Sequence, residues 1–204
     1  MSYVVAVAGP AGSGKTSMVR GLVAHLGDAV AIYMDSYERM TREPIGNVMQ
    51  WAKRGADVDE LSVPLLAEHL RRLKRGESVL EPAGHARIAP RKYIVFETQF
   101  GRTQKATGEQ IDLLIWIDTP LEIALARKLK EFTAEALREG QTHAGRERIA
   151  WLDGYLANYL ALVRGLMLLQ RDRVRPQADV VVDGSGELEA IVWQAREHIL
   201  QRLP

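Results

Sequence analysis

Residues 9–16 read Gly9-Pro10-Ala11-Gly12-Ser13-Gly14-Lys15-Thr16. This G-x-x-x-x-G-K-T spacing ties a tight loop to the helix that follows it and turns backbone N–H groups inward around an anion. The glycines supply conformations that residues with a Cβ rarely adopt. The Lys15 side chain is placed to reach β- and γ-phosphates, and the Thr16 hydroxyl to meet Mg²⁺. The next helix points its positive end at the same charges. The loop therefore marks Gly9, Ala11, Gly12, Ser13, Gly14, Lys15, Thr16 and Ser17 as ATP-binding residues, with Lys15 also a catalytic candidate.

The flanks agree with that reading. Tyr3-Val4-Val5-Ala6-Val7-Ala8 is an unbroken apolar run rich in β-branched residues, the pattern of a strand buried on both faces. Beyond the loop, Met18, Leu22 and Leu26 recur at helical spacing, and Gly27 ends the pattern. Four more apolar stretches read as strands: 29–34, 93–96, 111–117 and 180–182. Helical patterns separate them, including one from Pro64 with Leu65, Leu66, His69, Leu70 and Leu73, and one opened by Thr119-Pro120-Leu121-Glu122 as a capping box and running to about Leu129. A further helix spans roughly 149–169, and the last carries Leu188, Ile191, Val192, Ile199 and Leu200. Apolar strands alternating with helices predict an α/β fold, a parallel sheet with helices on both faces, formed as a single domain over 1–204. The stretches 36–61 and 77–90 stand out as irregular insertions.

Whole-chain properties exclude several classes. The 27 basic and 26 acidic residues nearly cancel, which argues against a protein that coats nucleic acid. There is no cysteine, so disulfides and cysteine-ligated zinc are ruled out, and a cytoplasmic setting fits. No apolar run approaches membrane-spanning length, so no membrane partner is expected. A homo-oligomer is left open.

In an open parallel sheet, ligands collect at the carboxyl ends of the strands. Asp35, Glu97 and Asp118 all fall at such ends. The guanine-reading Asn-Lys-x-Asp is missing, and Asp118-Thr119-Pro120-Leu121 fails the Asp-x-x-Gly switch pattern, so a GTPase is disfavoured. A small kinase remains, which needs a base near the accepting hydroxyl. Asp35 is the candidate base, with capping of a short turn at Ser36 as its structural alternative. Glu97 is a candidate to hold Mg²⁺ or contact the acceptor, against a role capping a loop. Asp118 is assigned to supporting the helix start at Thr119. The charged segment about 131–148, with Arg127 just before it and Arg138, Arg146 and Arg148 within it, reads as a lid whose guanidinium groups reach the phosphates, or as a solvated surface. His85 and Arg87 either bind acceptor hydroxyls or are exposed, while His25, His69 and His198 sit in helices as structural residues. Trp51, Trp116, Trp151 and Trp193 are read as core or interface anchors.

The order of these pieces resembles the uridine kinase and phosphoribulokinase-like branch of P-loop kinases. The matching segments are Gly9–Thr16, Met34-Asp35-Ser36-Tyr37, Leu65–Gly76, His85-Ala86-Arg87, Ile94-Val95-Phe96-Glu97, Ile117–Leu121 and Ala178–Val182. The resemblance implies a P-loop NTPase three-layer sandwich, with a five-stranded parallel sheet in the order 2-3-1-4-5, a lid, and ATP with Mg²⁺. It carries catalysis onto Asp35 and acceptor contacts onto Tyr37, His85 and Arg87, and it sets the loop Asp183–Gly186 near the adenine. The chain departs from uridine kinases where an Asn-Phe-Asp-His-Pro-Asp run grips the ribose, here Asn47-Val48-Met49-Gln50-Trp51. Thr98 follows Glu97 in place of glycine, and Glu131-Phe132 replaces the lid's Arg-Asp pair. The expected activity is transfer of the ATP γ-phosphate to a hydroxyl of a small-molecule acceptor such as a nucleoside, a sugar or a vitamin precursor. The alternative is an ATP-binding regulatory module that hydrolyses ATP slowly.

Overall fold

The computed structural model describes residues 2–37, 44–82, 84, 86–140 and 143–203, without the side chains of 139, 145 and 146. The main sheet holds β1 (Tyr3–Ala8), β2 (Ala29–Tyr33), β5 (Tyr93–Glu97), β6 (Leu113–Asp118) and β7 (Val180–Asp183). Its order is β2-β5-β1-β6-β7 with every pairing parallel, which is 2-3-1-4-5 when only these five strands are counted. A separate antiparallel hairpin joins β3 (Val79–Leu80) to β4 (Arg87–Ile88).

Apolar layers cover both faces of the sheet, which is why its central strands are apolar without alternation. One face sets Val4, Ala6, Phe96, Leu114 and Trp116 against Leu66, Leu70 and Leu73 of α3 (Pro64–Lys74). The other sets Val5, Val7, Val95, Ile115 and Val182 against α1 (Lys15–Leu26) and α8 (Leu188–Arg202).

The helical regions differ from the sequence reading in four places. The insertion 36–61 contains α2 (Ile45–Lys53) and a 3₁₀ turn at Val58–Leu61. After α4 (Lys105–Gly108), α5 runs Leu121–Glu139, well past the expected end near Leu129. Nothing between Lys128 and Glu139 breaks a helix, and Lys128 both pairs with Glu131 at 2.9 Å and lies over the Phe132 ring. The expected capping box is absent: α5 starts after Pro120, and the Thr119 hydroxyl is buried with no hydrogen-bond partner among the described residues. Finally, α6 (His143–Asn158) passes through a π turn at Tyr159–Val163 directly into α7 (Arg164–Val174).

The segment 131–148 is thus largely helical, formed by the end of α5 and the start of α6. The two helices pack through Phe132 against Trp151, with ring centroids 4.5 Å apart, and through Arg148 bonded to Glu135 at 2.6 Å. Trp51 and Trp116 are buried, whereas Trp151 and Trp193 are half exposed.

Candidate functional site

The phosphate loop leaves β1 at the carboxyl edge of the sheet and enters α1. Gly12 and Gly14 take left-handed conformations, φ +83° and +92°. The two glycines are required for different reasons. A Cβ at Gly14 would meet nothing within 4 Å, so only its backbone angle demands glycine, whereas a Cβ at Gly12 would lie 2.2 Å from the Ala124 carbonyl oxygen of α5. Gly14 caps α1 with no side-chain hydrogen bond, so the first N–H groups of that helix have no acceptor inside it. The Ser13 hydroxyl is buried without a partner among the described residues.

Lys15 donates to the Pro10 carbonyl at 3.1 Å, which folds its side chain back over the loop. Burial lowers its pKa below the ordinary lysine value, Glu97 and Asp35 oppose that shift, and Lys128 of α5 adds to it. Thr16 Oγ1 donates to Glu97 Oε1 at 3.1 Å. Glu97 ends β5 and is nearly buried. Burial raises its pKa, Lys15 and the Thr16 hydrogen bond hold it down, and Asp35 pushes it up. Asp35 therefore lies within electrostatic reach of both. It sits exposed inside the 3₁₀ turn Met34–Ser36 that follows β2; the turn is capped by Tyr33 and not by Asp35.

No group of three or more His, Asp or Glu residues able to hold a metal occurs among the described residues. A magnesium ion bound mainly through nucleotide phosphates needs no such group and takes one or two protein oxygens. The paired Thr16 hydroxyl and Glu97 carboxylate fit that demand.

Tyr37 points inward. Its hydroxyl lies 3.0 Å from His69 Nδ1, the rings meet edge to face, and burial followed by Glu81 pushes its pKa up to about 12. Ser36 Oγ donates to Glu81 Oε1 at 2.9 Å, which docks the β3–β4 hairpin beside Asp35. Arg87 is exposed and donates to Ser78 at 3.2 Å, and His85 lies outside the described residues.

Asp118 does not support a helix start. It accepts from Trp116 Nε1 at 3.2 Å and from Arg175 at 3.1 Å, with Arg171 at 3.6 Å. Arg127 donates to the Gly184 carbonyl at 2.8 Å. Together with Ser13, Ser17 and Leu188 they border a cavity of about 340 Å³, so the 183–186 loop lies beside the phosphate loop. Arg138 is exposed and donates to the Ala134 carbonyl of its own helix; the Arg146 side chain lies outside the described residues.

Sequence reasoning passed over Gln170. From α7 it donates to the Gly9 carbonyl at 3.2 Å and to the Gln99 carbonyl at 2.5 Å, stapling the phosphate loop to the segment after β5. No local pattern marks it, because its partners are 161 and 71 residues away. Glu81 was likewise unmarked.

Comparison with known proteins adds family evidence to this geometry. Residues 4–136 match the family model described as the phosphoribulokinase / uridine kinase family. A uridine kinase of Salmonella typhimurium is 25% identical over 201 residues, covering 90% of this chain and 88% of that protein. Among solved structures, a shikimate kinase from Acinetobacter baumannii in complex with shikimate superposes with a TM-score of 0.54 at 18% identity, covering 98% of this chain and 94% of the other. A possible uridine kinase from Bacillus stearothermophilus gives 0.54 at 16% identity, covering 89% of each chain. The two structures share the fold.

Proposed function

The chain belongs to the phosphoribulokinase and uridine kinase family of phosphotransferases, and on that premise we propose that it transfers the γ-phosphate of ATP to a hydroxyl group of a small molecule. The observation that carries this reading is the convergence of Lys15, Glu97 and Asp35 at one edge of the sheet, beside a loop whose helix-opening N–H groups lack a side-chain cap.

The backbone of residues 11–17 holds the phosphate oxygens. Lys15 supplies positive charge beside them; Glu97 and Asp35 favour its ammonium form against the pull of burial. Thr16 and Glu97 are the residues that would hold magnesium, which would neutralise charge on the phosphate oxygens. Asp35, exposed at the end of β2, accepts or orients the proton of the attacking hydroxyl. Tyr37, fixed by His69, sets the turn that carries Asp35. The cavity bordered by Arg127 and the 183–186 loop takes the base of the nucleotide. Arg138 and Arg146 are lid candidates, and His85 and Arg87 are candidates for acceptor contact. A cytoplasmic setting suits a cysteine-free user of ATP, and no helix among the described residues is long and apolar enough to cross a membrane.

The test is acceptor-dependent ADP release across nucleosides, sugars and pantothenate, with the phosphorylated product identified by mass. Stimulation by an acceptor is the expected result. Release that no alcohol stimulates, in protein that binds ATP, would refute the kinase reading in favour of an ATP-binding regulator.

A further inference from the structure

A second cavity, of about 350 Å³, meets the phosphate loop at Gly9, Ala11 and Lys15 and extends between α2, α7 and the segment after β5. Its walls are apolar side chains, chiefly Ile45, Val48, Trp51, Phe100, Leu166 and Met167. Its polar side chains other than that of Gln99 are already engaged by the fold. Gln170 holds the Gly9 and Gln99 carbonyls. Arg173 donates to the Ala56 carbonyl at 2.8 Å and the Gly55 carbonyl at 3.0 Å. Thr103 donates to the Phe100 carbonyl at 2.5 Å, and the Trp51 indole to the Asp57 carbonyl at 2.8 Å.

The carboxylates along the 57–60 turn are engaged too. Asp57 accepts from the Asp59 amide, Asp59 from the Lys105 amide, and Glu60 from Arg54. That leaves Lys15 at one end and the Gln99 amide, which makes no hydrogen bond among the described residues.

A nucleoside or a sugar carries many hydrogen-bonding groups, and each one buried without a partner costs about 1–3 kcal/mol. A body made of methylene or aromatic groups costs nothing of this kind and gains by leaving water. On the kinase reading given above, we infer that the acceptor is an alcohol with an apolar body, seated between α2 and α7 with its hydroxyl directed to the Lys15 end. This cavity meets the phosphate loop at Lys15, whereas the cavity assigned to the nucleotide base meets it at Ser13 and Ser17, and the Lys15 end is the one that assigns the occupant as the acceptor.

The experiment measures transfer from γ-labelled ATP to two sets of alcohols, with ATP titration as the check on folding. One set is a ladder of straight-chain primary alcohols together with aryl-alkyl alcohols; the other is uridine, ribose and gluconate. Transfer to the apolar set is expected, with kcat/KM rising about fourfold per added methylene until the cavity is filled. Leu166→Gln should flatten that ladder, lowering kcat/KM for the longest good acceptor by about tenfold or more and for the shortest by less. Transfer confined to uridine, ribose or gluconate overturns the apolar acceptor and leaves the kinase standing. An apolar ladder with no dependence on chain length, or a Leu166→Gln variant that binds ATP and treats all lengths as the wild type does, also overturns the apolar acceptor. Transfer to neither set, in protein that binds ATP, overturns the kinase reading and the acceptor inference together.

Discussion

The two ends of the site are built from opposite materials. Around Thr16 the groups are polar and mutually dependent: hydroxyl on carboxylate, ammonium beside two carboxylates. Around Trp51 and Leu166 the walls are apolar, and Thr103, Gln170 and Arg173 among them bind backbone carbonyls. Lys15 belongs to both ends. The first arrangement suits a charged ligand whose shape never changes. The second suits a ligand recognised by volume and apolar area.

Four changes break or sharpen this contrast. Asp35→Asn removes the carboxylate but not the shape, so turnover should fall by about 10²-fold or more with ATP affinity kept. Near-normal kcat in that variant would remove Asp35 from the chemistry. Next in size is Gly12→Ala. It combines a forbidden backbone angle with a Cβ driven into the Ala124 carbonyl, and it should cost on the order of 2–4 kcal/mol in urea unfolding. Gly14→Ala suffers only the angle and should cost about 1–2 kcal/mol, so the two midpoints measure how firmly the loop is seated on α5.

The smallest effect belongs to Tyr37→Phe, which loses the His69 hydrogen bond and should cost about 1 kcal/mol near neutrality. The folded-state pKa of Tyr37 is raised, from 10.0 to about 12, so its contribution is intact below pH 10 and is lost as pH rises through that window. The melting-temperature gap between wild type and variant should therefore narrow on going from pH 8 to pH 11. A constant gap would mean that the hydroxyl is not held in the core.

The phosphate end was legible because its demands fall on consecutive residues. A loop that must turn N–H groups inward needs its glycines, lysine and threonine at fixed spacing, and strands buried on both faces display their own ends, which located Asp35 and Glu97. The helices were less legible. The charge density after Leu129 suggested a loose segment, yet Lys128–Glu131 pairing and the lack of glycine or proline carry α5 to Glu139. Gly46 and Asn47 are weak helix formers and masked α2. The apolar cavity was not legible at all. Its walls come from three stretches far apart in the chain, and each apolar residue alone reads as ordinary core. Gln170 shows the same limit, since its importance comes from two carbonyls that only the fold brings near.

The π turn at Tyr159–Val163 joins α6 to α7 without a break in the rod. Each residue advances a helix by about 100°. The wide turn therefore acts as a phase setting between the aromatic stripe on α6, where Trp151 and Tyr155 meet Phe132, and the cavity wall on α7. Removing one residue between 159 and 163 would leave α6 in place and rotate Leu166, Gln170 and Arg173 by roughly a quarter turn. That rotation would empty the cavity wall and release the staple on Gly9 at a stroke. A five-residue turn, which borders the cavity through Val163, thus determines whether the two ends of the site face one another.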